Sequence, residues 1–335
     1  MKILITGGAG FIGSQLGFYL LQQKHQVLFL DNLSFGYIEN LKPPYNSSLN
    51  PHFINMDVRD PKIGKILEGV DVIFHLAGIS SLPECQTNPG EAYQVNVAGT
   101  ANILEAARRH NVSRVIFSSS SAIYENEAFF PTPENSNPDP TLTYSLSKKH
   151  AEEVCHSFQK LYGMDIVILR FFNVYGPHMD FRRPNPPLIS YIIKCLMEHK
   201  NPILHSKGKQ ARDMIYVDDV LRLCKIVLTH ENAKNQTFNV GFGKAYTIKE
   251  IYQHTAAVFG STDLKPLYRS AKLLWDKYPK IFKGNYPFQE KFLEKEVNKY
   301  TLASIKKANE LLGWKPQITL AEGLRKTVEF AIKNK

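Results

Sequence analysis

The chain contains little cysteine and no long apolar run. Its four cysteines, Cys85, Cys155, Cys195 and Cys224, are far apart and form no Cys-x-x-Cys pair. Neither a disulfide framework nor a metal site is therefore expected, and a reducing cytoplasm fits this composition. No stretch approaches the roughly 18 apolar residues of a membrane helix, and the N-terminus lacks the features of a signal peptide. We expect a cytoplasmic protein without a membrane segment.

The excess of positive charge does not by itself indicate a nucleic-acid partner. Lys and Arg number 41 against 31 Asp and Glu, which gives a net charge of +10. Many basic residues lie between Lys265 and Lys335, where glutamates are interspersed, and no nucleic-acid recognition motif accompanies them. The excess is either a solvated basic surface or a field that attracts an anionic substrate.

The first half of the chain alternates short apolar runs with longer helical patterns, which is typical of a parallel sheet with crossover helices. Runs such as Val72–Phe74 are apolar without alternation, as strands buried on both faces are. The predicted strands are Lys2–Thr6, Gln26–Asp31, Phe53–Met56, Val70–Leu76, Arg114–Ser118 and Asp165–Phe171. The predicted helices between them are Phe11–Gln23, Lys62–Leu67, Pro89–His110 and Tyr144–Tyr162. The fold class is therefore α/β, with a Rossmann-type doubly wound parallel sheet.

The second half of the chain is less regular. Its predicted elements are the helix Leu188–His199, the strand Thr237–Val240, and the helices Ile305–Leu312 and Leu320–Ile332. Loops are predicted from their Pro, Asn and Ser content at Lys42–Asn50, Glu125–Thr141 and Arg182–Pro187. The stretch Tyr268–Lys299 is rich in Lys and aromatic residues but has no clear period, so it receives no assignment.

Three glycines lie between the first strand and the first helix. Gly7, Gly10 and Gly13 allow a tight turn, close approach of the backbone to a pyrophosphate, and close packing of the helix on the strand. The phosphates would lie at the positive end of the helix. Because the glycines stand in a strand–turn–helix context, they predict a dinucleotide site.

An acidic residue at the end of the second strand identifies the dinucleotide. Asp31, 18 residues beyond Gly13, can accept hydrogen bonds from the adenosine ribose and would repel the extra phosphate of NADP, so NAD is predicted. A turn role before Asn32 is the structural alternative. Asp57 and Val58 follow the third strand and are expected to flank the adenine, although Asp57 equally suits the N-cap of the next helix.

Tyr144 and Lys148 are four residues apart at the start of a helical pattern, so they share one helical face. A free tyrosine, with a pKa of about 10, is a poor base at neutral pH. A neighbouring ammonium and the charged nicotinamide ring favour the phenolate, which can then take a proton from a substrate hydroxyl. The spacing alone is common in helices, but Ser118–Ser121 follow a buried strand whose end faces the predicted crevice. These serines either hydrogen-bond the same substrate oxygen or form a polar strand end.

In their order, these motifs resemble the extended short-chain dehydrogenase/reductase family, specifically its nucleotide-sugar epimerase/dehydratase branch with the UDP-hexose 4-epimerases. The resemblance covers nearly the whole chain. The segments that carry it are Gly7–Gly13, Asp31–Ser34, His75–Gly78, Asn96–Thr100, Ser118–Tyr124, Tyr144–Lys148, Arg170–Pro177, Arg212–Val220 and Leu312–Pro316.

The resemblance implies a domain organisation. It predicts an NAD-binding Rossmann domain at 1–172, with returning segments near 213–242. A smaller, interleaved C-terminal domain at 173–212 and 243–335 would bind the nucleotide sugar, with a UDP-sugar favoured. The helices Pro89–His110 and Tyr144–Tyr162 resemble those that form a dimer interface in relatives, so a homodimer is expected.

The resemblance also implies the site residues. The catalytic residues implied are Ser120, Tyr144 and Lys148. The cofactor-binding residues implied are Gly7, Gly10, Phe11, Ile12, Gly13, Asp31, Asn32, Asp57, Val58, Leu76, Ala77, Gly78, Asn96, Tyr144 and Lys148. The substrate-binding residues implied are Ser80, Ser120, Tyr144, Asn173 and Arg212. Three structural alternatives remain open: Asn173 as a turn residue, Arg212 as a partner of Asp213 or Asp218, and His75 as a core histidine, which we favour over a catalytic role.

The residues after Ser120 favour one reaction. Dehydratases and related decarboxylases of this family carry a carboxylate shortly after that position for elimination, whereas Ser121–Tyr124 contain none. We therefore predict epimerisation at C4 through a transient 4-keto sugar. A dehydratase, decarboxylase or reductase is the alternative. Glu125 and Asn126 depart from the usual glycine, and the stretch Tyr268–Lys299 departs from the usual short Arg-containing segment.

Overall fold

The computed structural model describes residues 1–43, 49–183, 185–261, 263–270, 272–295 and 299–334. The predicted loops Lys42–Asn50 and Arg182–Pro187 and the unassigned stretch Tyr268–Lys299 therefore lie partly outside the described residues. No helix within these ranges is long and apolar enough to cross a membrane.

The strands and helices of the described ranges alternate through the first half, as predicted. The strands are β1 Lys2–Thr6, β2 Gln26–Asp31, β3 His52–Asn55, β4 Val72–His75, β5 Arg114–Ser120, β6 Ile166–Phe171, β7 Asn173–Tyr175, β8 Ile203–His205, β9 Ala211–Tyr216, β10 Thr237–Val240, β11 Ala245–Thr247 and β12 Leu267–Arg269. The helices are α1 Phe11–Gln22, α2 Leu82–Thr87, α3 Pro89–Tyr93, α4 Gly99–Arg109, α5 Thr143–Tyr162, α6 Leu188–Met197, α7 Val217–Thr229, α8 Ile248–Phe259, α9 Lys272–Trp275, α10 Lys306–Leu312 and α11 Leu320–Lys333.

Seven parallel strands form the main sheet, in the order β10-β6-β5-β4-β1-β2-β3. Strands β1 to β6 have the order of the Rossmann fold, 3-2-1-4-5-6, and β10 is added beside β6. Alternate residues enter cores on opposite faces: Ile3 and Ile5 of β1 enter one core, and Leu4 enters the other. Because both faces of the sheet are buried, the strands do not alternate between apolar and polar residues. The predicted fold class is confirmed.

The second half of the chain contributes to more than one sheet. β9 lies between β7 and β11 in a three-stranded sheet, whereas β12 pairs with β8. The segment 213–242, which was predicted to return to the Rossmann domain, contributes to two sheets. β9 belongs to the small sheet, and β10 joins the main one. The division of the chain into domains stays a prediction.

The predicted helix Pro89–His110 is interrupted. A π-helical segment, Gln94–Ala98, separates α3 from α4, and such segments are frequent at functional sites. Here it carries Asn96, whose side chain reaches the backbone of Ile79. The predicted helix Lys62–Leu67 is a 3₁₀ segment, Pro61–Ile66, because Asp60 caps it and Pro61 opens it.

The stretch without a sequence period forms short pieces around a small core of its own. Trp275, Ile281 and Leu293 are buried together, and the indole nitrogen of Trp275 donates to the Leu293 carbonyl at 2.9 Å. Residues 272–295, which we call the cleft insert, also lie beside α2. Because its helical pieces span only three or four residues, the insert leaves no helical period in the sequence.

Candidate active site

A deep cleft of about 960 Å³ opens at the carboxyl ends of the main-sheet strands, where the crevice rule places ligands. All predicted site residues except Asn96 line it. The fold thus brings together residues from positions 7 to 212 of the sequence. The roles of these residues remain predictions, but their assembly in one cleft is an observation.

The glycine-rich turn fits a dinucleotide phosphate. A Cβ at Gly13 would lie 2.1 Å from the carbonyl oxygen of Gly7, and one at Gly7 would lie 2.9 Å from the amide nitrogen of Ala77. Gly7 also has a φ of +70°, which only glycine adopts at low cost. No side chain caps the start of α1 at Gly10, so the first amides of that helix remain available to an anion.

Asp31 is buried at the end of β2, next to this turn. Its carboxylate accepts the amide of Ala9 at 3.1 Å and that of Leu33 at 2.8 Å. Burial raises the pKa of Asp31, and these two amides oppose the increase. The turn role considered for Asp31 is therefore present, and the residue also lines the cleft where the predicted ribose contact would form.

Asp57 does not cap the following helix; Asp60 occupies that position. Instead, Asp57 forms an ion pair with Arg59 at 2.8 Å and accepts a hydrogen bond from Asn32, also at 2.8 Å. The hydrogen bond from Arg59 is the main cause that lowers the Asp57 pKa to about 2. The N-cap interpretation of Asp57 was wrong, because the turn that enters the helix begins three residues later.

The predicted catalytic residues meet on one wall of the cleft. Tyr144 is 8% exposed and lies in the first turn of α5, one turn before Lys148. The Lys148 ammonium donates to the carbonyl oxygen of Ser118 at 2.8 Å and lies 5.1 Å from the ring centre of Phe117. The end of β5 therefore fixes the lysine on which the predicted tyrosine base depends.

Burial lowers the pKa of Lys148 to about 8, because apolar surroundings disfavour its charged form; Cys85, Cys155 and Glu152 act in the opposite direction. An amine with this pKa is still mainly protonated at pH 7. The lysine can therefore act there as the cation that stabilises a neighbouring phenolate.

The serines at the end of β5 have different environments. Ser118 donates to the carbonyl oxygen of His75 at 3.1 Å, so it is a structural residue. The hydroxyl oxygen of Ser120 accepts the amide of Ala122 at 3.1 Å, and its own proton can still be donated. Ser119 also lines the cleft, and its buried hydroxyl has no hydrogen-bond partner among the described residues. Sequence reasoning missed Ser119, because a run of serines does not reveal which hydroxyl faces a ligand.

Asn96 lies behind the cleft wall. Its side chain accepts the amide of Ile79 at 2.8 Å and donates to the hydroxyl of Ser147 at 2.9 Å. A Cβ at Gly78 would lie 3.0 Å from the side-chain amide oxygen of Asn96. Asn96 thus joins the wall at residues 78–79 to the catalytic helix α5. This agrees with the supporting role that the resemblance implied, and its place among the cofactor-binding residues stays a prediction.

His75 is a core residue, as favoured. Its ring contacts Thr6 at 2.7 Å and Thr100 at 3.0 Å. Burial, and next the charge of Lys148, lower the His75 pKa to about 3. A neutral ring bonded on both sides links β4 to β1 and α4.

Asn173 and Arg212 lie on the opposite, C-terminal wall. The Asn173 amide group donates to the carbonyl of Asp213 at 3.0 Å and to the hydroxyl of Thr301 at 3.2 Å. Asp213 is fully buried and accepts three backbone amides, those of Phe242, Gly243 and Ala303. Burial raises the pKa of Asp213 to about 6. The predicted diphosphate contacts of Asn173 and Arg212 stay predictions.

Two loops that sequence reasoning did not single out also line the cleft. Tyr37 donates to Asp180 at 3.1 Å across the cleft, and Asn40 donates to the carbonyl oxygen of Ala9 at 2.9 Å. Lys277 of the cleft insert lines the substrate end. Their sequences carried no motif, since these contacts depend on how distant loops meet. In the described part of the chain, no group of three or more potential ligand residues could hold a metal ion.

Comparison with known proteins agrees with this geometry. Residues 3–241 match the model of the NAD dependent epimerase/dehydratase family. A putative UDP-glucose 4-epimerase of Methanocaldococcus jannaschii is 33% identical, over 99% of both chains. The crystal structure of UDP-glucose 4-epimerase from Thermotoga maritima with UDP-glucose superposes with a TM-score of 0.87 at 30% identity, over 100% of this chain and 99% of that one.

A second solved structure bears on the cofactor. The UDP-glucuronic acid 4-epimerase of Bacillus cereus, in complex with UDP-glucuronic acid and NAD, superposes with a TM-score of 0.84 at 28% identity, over 100% of both chains. Because 4-epimerases are isomerases, these relatives agree with the predicted enzyme class. The chain therefore belongs to the NAD-dependent epimerase/dehydratase family and is an enzyme that uses NAD as its cofactor.

Proposed function

We propose that the chain inverts the C4 carbon of a UDP-sugar, with Tyr144 as the base and a transient 4-keto sugar as the intermediate. The observation that carries the proposal is the meeting of Tyr144, Lys148 and the β5 serines in the cleft that also holds the glycine-rich turn. The relatives named 4-epimerases, about 30% identical over nearly the whole chain, support the same reaction.

In this mechanism, Tyr144 takes the proton of the C4 hydroxyl while Ser120 donates a hydrogen bond to the same oxygen. Lys148, fixed by the carbonyl oxygen of Ser118, supplies the positive charge that favours the phenolate. The glycine-rich turn and Asp31 would hold NAD, which would supply the redox chemistry at C4. Tyr144 then gives the proton back to the C4 oxygen.

The main alternatives, a dehydratase or decarboxylase, need a carboxylate near the end of β5. The nearest one in the sequence is Glu125, and one of its oxygens accepts the amides of Thr141 and Leu142. A carboxylate engaged in this way supports the loop before α5, which argues against a role in elimination. A net reductase would release oxidised cofactor at each turnover and would need reduced cofactor to be supplied.

We also propose a homodimer and a cytoplasmic location. Leu161 and Tyr162 at the end of α5 are 68% and 53% exposed, which suits the predicted pairing of helices between two chains. A sedimentation mass of one chain would contradict the dimer. All four cysteines are free and buried, as suits a reducing compartment; secretion of the native protein into an oxidising compartment would contradict that location.

The test is to incubate the purified protein, without added cofactor, with UDP-, GDP-, CDP- and dTDP-sugars and to analyse the products by NMR. We expect a C4 epimer of a UDP-sugar. A 4-keto-6-deoxy product or loss of carbon dioxide would instead establish a lyase. A strict requirement for added NADH or NADPH would establish a reductase.

A further inference from the structure

The cleft insert, residues 272–295, bridges the two walls of the cleft. At one end, the Lys295 ammonium donates to Asn126 at 2.8 Å and to Thr141 at 2.9 Å, just before the catalytic helix. At the other end, the Tyr278 hydroxyl accepts a hydrogen bond from Asn185 at 2.8 Å, on the loop that leads into α6. The insert is therefore anchored on both sides of the substrate end.

Lys277 is the basic residue that this insert places in the cleft wall. Its ammonium donates to the side-chain oxygen of Asn185 at 3.2 Å. The same Asn185 holds Tyr278, so the amide positions two neighbouring residues of the insert. Among the described residues, no carboxylate lies in ion-pair range of Lys277. Because this partner is a neutral amide, it does not neutralise the positive charge of Lys277, which can pair with an anionic ligand.

The other basic residues near this end are placed differently. Arg183 forms an ion pair with Asp180 at 2.8 Å, so its charge is balanced locally. Arg269, the obvious arginine of the basic stretch, lies exposed on β12 and donates to the carbonyl oxygen of Tyr268; it does not line the cleft. Lys277 is thus a cation of this wall whose described partner is a neutral amide.

We propose that Lys277 is a substrate-binding residue whose ammonium pairs with an anionic group of the bound nucleotide sugar. This inference rests on the proposed substrate class. A nucleoside diphosphate carries at least two negative charges, so an ammonium in the cleft wall is suited to form a charge-assisted hydrogen bond with it. The anionic group is either the diphosphate or a carboxylate on the sugar, and binding measurements separate the two.

The experiment compares Lys277→Gln with Lys280→Gln, an exposed lysine of the same insert that does not line the cleft. Dissociation constants are measured by calorimetry for uridine, UDP, UDP-glucose and UDP-glucuronate on the NAD-loaded protein. Lys277→Arg, which keeps the charge, is expected to retain most of the affinity.

If the diphosphate is the partner, Lys277→Gln should weaken UDP and both UDP-sugars about tenfold and leave uridine unchanged, which corresponds to the loss of one charged contact. If a sugar carboxylate is the partner, only UDP-glucuronate should weaken. Unchanged affinity for all four ligands, or an equal loss for uridine, would overturn the proposal. Because no turnover is measured, a wrong reaction under the proposed function would leave this result interpretable.

Discussion

At the scale of single residues, the proposed reaction depends on the hydroxyl of Tyr144. Tyr144→Phe removes only that oxygen, so the buried ring and the start of α5 should persist. We expect NAD content and melting temperature near those of the wild type and a fall in kcat of about 10²- to 10⁴-fold, the typical contribution of a general base. Tyr286→Phe, at an exposed ring that does not line the cleft, is the matched control. Near-normal turnover by Tyr144→Phe would reject the assigned base.

Lys148 gives the reaction an expected pH dependence. Its folded pKa, lowered to about 8 by burial, means that the ammonium is lost as the pH rises through about 8. Because the charged form supports the phenolate, kcat should decline above that pH even though tyrosine deprotonation is favoured there. Initial rates between pH 6 and 10 measure this. A rate that keeps rising to pH 10 would show that the lysine charge is not required.

Asp31 should determine the preference for NAD over NADP. Asp31→Asn keeps the shape of the side chain and one of its two hydrogen bonds from the amides of Ala9 and Leu33, but it removes the negative charge that would repel a 2′-phosphate. The ratio of the dissociation constants for NAD and NADP should therefore move toward NADP by about tenfold or more. Asp60→Asn, at a cap outside the cleft, serves as control. An unchanged ratio would count against the ribose role.

At the scale of elements, the catalytic helix begins with help from a distant side chain. Its N-cap residue, Leu142, offers no side-chain acceptor, and Glu125 accepts the Leu142 amide at 3.0 Å instead. Glu125→Ala should lower the free energy of unfolding by about 1–2 kcal/mol, the usual cost of a lost cap. Urea unfolding measures this against Glu127→Ala, whose side chain bonds only the next amide. Equal stability of the two variants would contradict the capping role.

The elements that the sequence could predict are those with a local cause. β1 and β2 have the predicted bounds, because each is an apolar run that begins and ends with a polar residue. The π segment Gln94–Ala98 was missed, because the apolar pattern there is that of a continuous helix; the segment carries Asn96, which bonds the backbone of Ile79. The short pieces around Trp275 lacked a period because tertiary contacts hold them.

The candidate site shows the same division. Gly7, Asp31, Tyr144 and Lys148 were predictable because their spacing carries the chemistry. Lys277 was not, because its place in the cleft depends on a bond to Asn185, 92 positions away in the sequence. Motif spacing thus identified candidate residues at the glycine-rich end of the cleft. Lys277, by contrast, is placed by loops that meet only in the folded chain.

At the scale of the whole molecule, the cleft is closed over its cofactor half by contacts between distant loops. Tyr37 donates to Asp180, and Gln15 donates to the carbonyl oxygen of Pro177 at 2.9 Å. Such contacts suit an enzyme in which the cofactor stays bound while one sugar is oxidised and reduced again.

The most direct test of that cycle is the fate of hydrogen at C4. A UDP-hexose that the enzyme turns over, labelled with deuterium at C4, is converted in ordinary water without added cofactor, and the product is analysed by NMR. We expect a C4 epimer that retains the deuterium at C4, because the hydrogen leaves and returns within one closed site. Loss of the deuterium to water would contradict it.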